Sequence, residues 1–242
     1  MDSDWRKRIQ ITLIVFLVLA LARIGIILYE RNQAPEVRKP QPAPASSYKV
    51  TLDDYVTPHK VFPYDLKSAR QIVGKPVWVR SGNRVAYYPY SAVGRNANVS
   101  HRAGLLGPLE KLEVKDVMAE NVQGQEQVMA VFTKDEAPAE YAATVGKVSG
   151  GSYDFFINDI FFFDDPHQLY NHWPADVWDA IDHHQVKPGM NELQSGFALG
   201  ANIRVTAGDY GNRTVQYING DKSTMVEFSD NKAVSVEAGP KP

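Results

Sequence analysis

Residues 9–29 read IQITLIVFLVLALARIGIILY, 21 positions with a single charge at Arg23. No other stretch restricts the fold so strongly. A helix that is apolar on every side has no face to turn towards water, so something other than solvent must cover it. At ~1.5 Å per residue, a helix of this length reaches across the ~30 Å hydrocarbon layer of a bilayer. Trp5 and Tyr29 flank the run, where aromatic rings favour an interface, and the Arg23 stem is long enough to snorkel. The expectation is a single-pass transmembrane signal anchor within residues 1–32. The alternative is a cleaved signal peptide, with Arg6-Lys7-Arg8 as its basic flank and Ala20-Leu21-Ala22 as a small-x-small cleavage pattern. Arg31, Arg38 and Lys39 follow the run, so basic residues tie at three on each side. The short N-terminal tail then favours the large domain outside the cytoplasm. The expected location is the inner membrane, with that domain on the periplasmic or extracellular side.

Charge narrows the partners. Residues 1–45 carry seven Lys/Arg and four Asp/Glu, which leaves 19 basic and 24 acidic residues, a net of −5, in 46–242. An acidic body repels phosphate backbones, so nucleic acid is not an expected partner. The chain has no cysteine, which removes disulfides, thiolate metal sites and cysteine nucleophiles together. Neither Gly-x-Gly-x-x-Gly nor a P-loop occurs, so no nucleotide is expected; Gly-x-Ser-x-Gly is absent too.

Residues 33–47, QAPEVRKPQPAPASS, form a Pro-rich linker that sets a domain boundary. Beyond it, 66–73 carries Leu66, Ala69, Ile72 and Val73 at helical spacing. Strands are expected from Pro76, over 84–90, 127–132 and 141–148, and over the aromatic run 152–163, read as one central strand. Further on, 173–184 begins a helix at Pro174, and 190–199 forms a second short helix closed by Gly200. Three or four strands follow, with turns at Asn219-Gly220 and Asp230-Asn231. The expected fold class is α+β: an N-terminal transmembrane helix, a β-rich SH3-like barrel domain over 48–170, and a C-terminal domain over 171–238. That last domain holds two short helices and a three- to four-stranded antiparallel sheet.

Two family resemblances rest on these segments. PVWVRSGNRVAYYPY and the later GLLGPLEKLEV, within 77–118, resemble a bacterial SH3-like barrel. That likeness implies a groove for peptides or cell-wall material, with Trp78, Tyr87, Tyr88 and Tyr90 as its aromatic lining. Within 174–236, Val186-x-x-Gly189-Met190-x-x-x-Gln194, Leu199-Gly200, Val215-Gln216-Tyr217 and Met225-Val226-Glu227-Phe228 resemble the SmpA/OmlA-type domain of outer-membrane assembly lipoproteins. This second likeness implies a scaffold without a catalytic site, although no lipobox cysteine is present for acylation.

One constellation could carry chemistry. Asp159, Asp164, Asp165, His167, His172, His183 and His184 fall within 26 positions, and carboxylates with imidazoles are metal ligands. The spacing matches no metal motif, and Asp164-Asp165-Pro166-His167 also reads as loop and cap chemistry. The function expected is therefore a membrane-anchored, non-enzymatic binding or scaffold protein of the bacterial envelope, without cofactor, and an accessory subunit of a larger complex. A metal-dependent envelope enzyme built on the Asp/His cluster is the alternative.

Overall fold

The computed structural model describes residues 3–32, 50–134, 137–206 and 208–242, and within the first stretch the side chains of 13–29. The Pro-rich linker expected over 33–47 lies outside the described residues. The chain forms two compact units, Met1–Val50 and Thr51–Pro242.

In the first unit a single helix, α1, runs from Ser3 to Asn32, and every described side chain on it is exposed. Among the described residues no helix is long and apolar enough to cross a membrane. The transmembrane helix expected over 9–29, and with it the membrane-spanning part of the fold class, is corrected: the helix forms, but among the described residues it does not combine the length and apolarity that a crossing needs.

The second unit is α+β and dominated by strand. Nine strands form its larger sheet: β1 (Pro76–Val79), β2 (Ala86–Ser91), β3 (Asn96–Ala97), β4 (Gly104–Leu105), β5 (Lys111–Val122), β6 (Gln125–Lys134), β7 (Glu140–Ser149), β8 (Ser152–Phe155) and β9 (Phe161–Phe162). Their order is β3-β2-β7-β6-β5-β1-β9, with β4 added to β2 and β8 to β7, and each pair whose register is defined is antiparallel. The central strand β6 is buried on both faces. Val128, Ala130 and Phe132 enter one apolar cluster, and Met129 and Val131 enter another. On β5 the inward residues are Leu112, Val114 and then Val117, a change of parity that period-two patterning does not allow by itself. A bulge between Val114 and Asp116 supplies the extra residue. The Asp116 carboxylate clamps it, accepting from the Val117 amide at 2.8 Å and from Arg70 Nε at 3.1 Å.

The aromatic run 152–163 is not one central strand. It divides into β8, a helical turn α3 (Ile157–Ile160) and β9, and the two strands sit at different places in the sheet. Earlier in the chain a short helix, α2 (Leu66–Ala69), is capped by Asp65. Asn158 breaks the strand. Its side chain accepts from the Val61 amide at 3.0 Å and donates to the Val61 carbonyl at 2.7 Å, a pairing with a preceding segment that turns the backbone out of the sheet. The break serves the core, because Ile157, Ile160 and Phe161 enter the first cluster and Phe162 enters a second.

That second cluster gathers the helical layer: α4 (Pro166–Leu169), α5 (Ala175–Asp182) and α6 (Glu192–Leu199). Tyr170, Trp173, Trp178, Ile181 and Phe197 pack there with Phe162 and the half-buried Trp78. The boundary expected at 170–171 falls inside this cluster. A four-stranded antiparallel sheet follows, β10 (Ile203–Val205), β11 (Thr214–Asn219), β12 (Lys222–Ser229) and β13 (Lys232–Ala238), in sequential order. Asp230 and Asn231 both have positive φ, as a two-residue hairpin requires. The β11–β12 hairpin turns on Gly220-Asp221, one position later than an Asn-Gly turn, because Asn219 pairs with Lys222. Val215, Tyr217, Val226 and Phe228 cover Val186 and Leu199, and these two also touch the helical cluster, so the layers share one continuous core.

Candidate functional site

Where the larger sheet, the helices and the C-terminal sheet meet, they enclose a cleft of about 680 Å³. Its position depends on how α6 ends. Gly200 has φ 94°, and a Cβ there would lie 2.7 Å from the Gly82 carbonyl oxygen. The chain can therefore press against the turn that follows β1. Asn83, itself at φ 62°, donates from Nδ2 to the Leu199 carbonyl at 2.9 Å, and the Ala201 amide donates to Gly82 at 2.8 Å. These bonds hold the helix end, and the C-terminal sheet behind it, against the larger sheet.

Polar groups converge on the cleft from several elements: Glu110 just ahead of β5, Lys134 from the end of β6, Asp182 and His184 from α5 and its end, and Asn219, Lys222 and Thr224 from the hairpin. Lys134 and Glu110 form a mostly buried ion pair, and the other Glu110 oxygen accepts from the Gly107 amide at 2.8 Å. The Lys134 ammonium lies 5.0 Å from the Tyr87 ring centroid. Burial alone would lower the Lys134 pKa, but the Glu110 bond and the Glu110 charge outweigh it and hold the ammonium above its ordinary range. Burial pushes the Tyr217 phenol far up, with the Glu192 charge adding to the effect.

The four aromatic residues expected to line one groove are not brought together. Trp78 packs on the helical cluster, with Lys111 Nζ 5.7 Å from its ring centroid. Tyr87 faces the first core cluster, edge-on to Tyr141 at 5.0 Å. Tyr88 and Tyr90 pack on the cluster of Met129 and Val131 across the sheet. Alternation along β2 explains the split, since neighbouring strand residues point to opposite faces. Only Tyr87 touches the cleft, through Lys134.

The Asp/His constellation is dispersed as well, and among the described residues no group of three or more His, Cys, Asp or Glu is placed to hold a metal. Asp164 accepts from the His59 amide at 2.7 Å, and Asp165 caps α4. His167 stacks on Trp178 with centroids 4.0 Å apart, and its Nε2 lies 3.2 Å from an Asp182 oxygen. His183 bonds back to the Asp179 carbonyl, and His184 lies 3.2 Å from the Ala198 carbonyl. Asp159 appears through its backbone, whose carbonyl accepts from Ser81 Oγ.

Two polar centres were not legible in the sequence. Asp53, 12% exposed, accepts from His172 Nε2 at 2.7 Å, Trp173 Nε1 at 2.6 Å and Asn191 Nδ2 at 2.7 Å. Glu192, 5% exposed, takes Arg213 Nη2 at 2.6 Å and the Gly211 amide at 2.9 Å. The signal beside them was the Asn191-x-x-Gln194 capping box, which the structure forms in both directions at 2.8 and 2.9 Å. The partners at 119 or more positions away have no local trace. No family model, curated protein or solved structure matches this chain.

Proposed function

We propose that the chain is a non-enzymatic binding or scaffold protein of the bacterial envelope, an accessory subunit that seats a segment of a partner protein in the cleft. The observation carrying this reading is the cleft itself. Its ~680 Å³ volume lies in the ~300–1,000 Å³ range typical of ligand sites, and it presents donors and acceptors from three layers. Two mostly buried acid–base pairs of the unit, Asp53 with His172 and Glu192 with Arg213, are spent on holding segments together. Export is supported by Arg6-Lys7-Arg8 ahead of an apolar stretch, the pattern that routes chains out of the cytoplasm. The exposed apolar side chains of α1 supply a second association surface.

A gentle-detergent pull-down with the full chain tests the cleft. Thr224→Trp and Asn219→Trp fill it from its rim. Partners captured by the unaltered protein should be lost from both variants while the melting temperature stays put. An unchanged set of captured proteins would remove the cleft from the proposal. Protease added to spheroplasts should degrade the second unit; its survival until lysis would refute the envelope location.

A further inference from the structure

Strand β10 leaves one edge of the C-terminal sheet open, and its register shows which groups that edge presents. The Thr206 amide donates to the Thr214 carbonyl at 3.1 Å, and the Ile218 amide donates to the Asn202 carbonyl at 2.8 Å. Hydrogen-bonded pairs in an antiparallel ladder recur at every second residue, so Arg204 is the residue bonded to β11 between them. Ile203 and Val205 therefore direct their N–H and C=O groups away from the sheet. Their side chains stand opposite Tyr217 and Val215, on the core face, yet remain 40% and 43% exposed. The sheet's apolar layer thus runs on to an edge that nothing covers among the described residues. Arg204 projects to the other face, is exposed, and forms no ion pair among the described residues.

We propose that this edge takes an extended segment of a partner protein as an added strand, and that it selects a segment with an acidic residue between two apolar ones. The proposal goes beyond the cleft, which none of these three residues lines. An added strand would bond to Ile203 and Val205, which makes Arg204 the non-hydrogen-bonded position, where facing side chains come closest. A carboxylate there pairs with the guanidinium, and its apolar neighbours extend the layer over Ile203 and Val205. Charge disfavours a second copy of the chain as occupant. A two-fold axis through this strand would set Arg204 against Arg204.

The test uses the isotopically labelled full chain and two soluble peptides, acetyl-Ser-Val-Glu-Val-Thr-amide and its counterpart with Lys in place of Glu. The Glu peptide should bind about tenfold more tightly or better, and should slow hydrogen exchange at the Ile203 and Val205 amides. Arg204→Glu should reverse the preference. Val205→Pro removes only an outward N–H on an edge strand, so the fold should survive while both peptides cease to bind. Equal affinity for the two peptides, no binding of either, or binding untouched by Val205→Pro would each overturn the proposal. So would dimerisation of the unliganded chain that Val205→Pro abolishes, which would make a second copy the occupant.

Discussion

Trp178 shows what one side chain does here. It is buried among Tyr170, Trp173 and Phe197, stacks on His167, and donates to the Tyr170 carbonyl at 3.3 Å. Its cover comes from the segment around α4 and from α6. Trp178→Ala should cost ~3–5 kcal/mol and lower the melting temperature sharply, whereas His183→Ala, on an exposed side chain, should stay within about 0.5 kcal/mol. Calorimetry of both variants checks the pair of outcomes. Asp53→Ala removes one carboxylate and strands three donors, His172, Trp173 and Asn191, which are bonded to little else there. A loss of about 3 kcal/mol is expected in denaturant unfolding, because unsatisfied buried donors cost ~1–3 kcal/mol each and some regain water.

Among the elements, α6 depends most on its end. Gly200→Ala meets both a backbone conformation that L-residues avoid and the Gly82 carbonyl. Gly220 also has positive φ, at 58°, but a Cβ there has open space around it. Gly220→Ala should therefore cost ~1 kcal/mol and Gly200→Ala clearly more, about 3 kcal/mol or above, with the second change also loosening the cleft. Thermal unfolding of the two variants ranks them, and equal effects would refute the docking role assigned to Gly200. Much at this scale was legible in the sequence. Pro174 opens α5, Gly200 closes α6, and Asp230-Asn231 turns the last hairpin, because each feature acts within a few residues of its own position. The run 152–163 was misread for the opposite reason. Its break is made by Asn158 bonding to Val61, a residue no local pattern connects to it.

For the whole second unit, alkaline pH is the informative variable. Tyr170 and Tyr217 are pushed up chiefly by burial, and Lys134 is held up by Glu110 against burial. All three folded-state values are raised above the unfolded ones, near 10.0 for tyrosine and 10.5 for lysine. Below those values both states bind the same protons, and this contribution to stability is fully present. As pH rises past them the unfolded chain releases protons that the folded chain keeps, so stability falls towards the raised folded values. Urea midpoints should decline from about pH 10 upward, and the decline should be shallower for Tyr217→Phe, which has no proton to lose. A decline as steep as in the unaltered protein would show that Tyr217 ionises as freely folded as unfolded.

Local order belongs to the sequence because caps, turns and strand alternation are interactions between near neighbours. The capping residues, the two-residue turns and the alternating strands of the C-terminal sheet could all be read there. The apolar run in α1 marked a helix by the same logic, though among the described residues no helix is long and apolar enough to cross a membrane. Faces, sides and distant partners were decided only by tertiary structure. Period-two alternation scattered Trp78, Tyr87, Tyr88 and Tyr90 over three clusters, and capping and stacking consumed the Asp/His constellation. Asp53 reached donors more than a hundred residues away. The cleft and the open edge of β10 came from strand order and helix docking, because each requires surfaces that meet only when the chain has closed on itself.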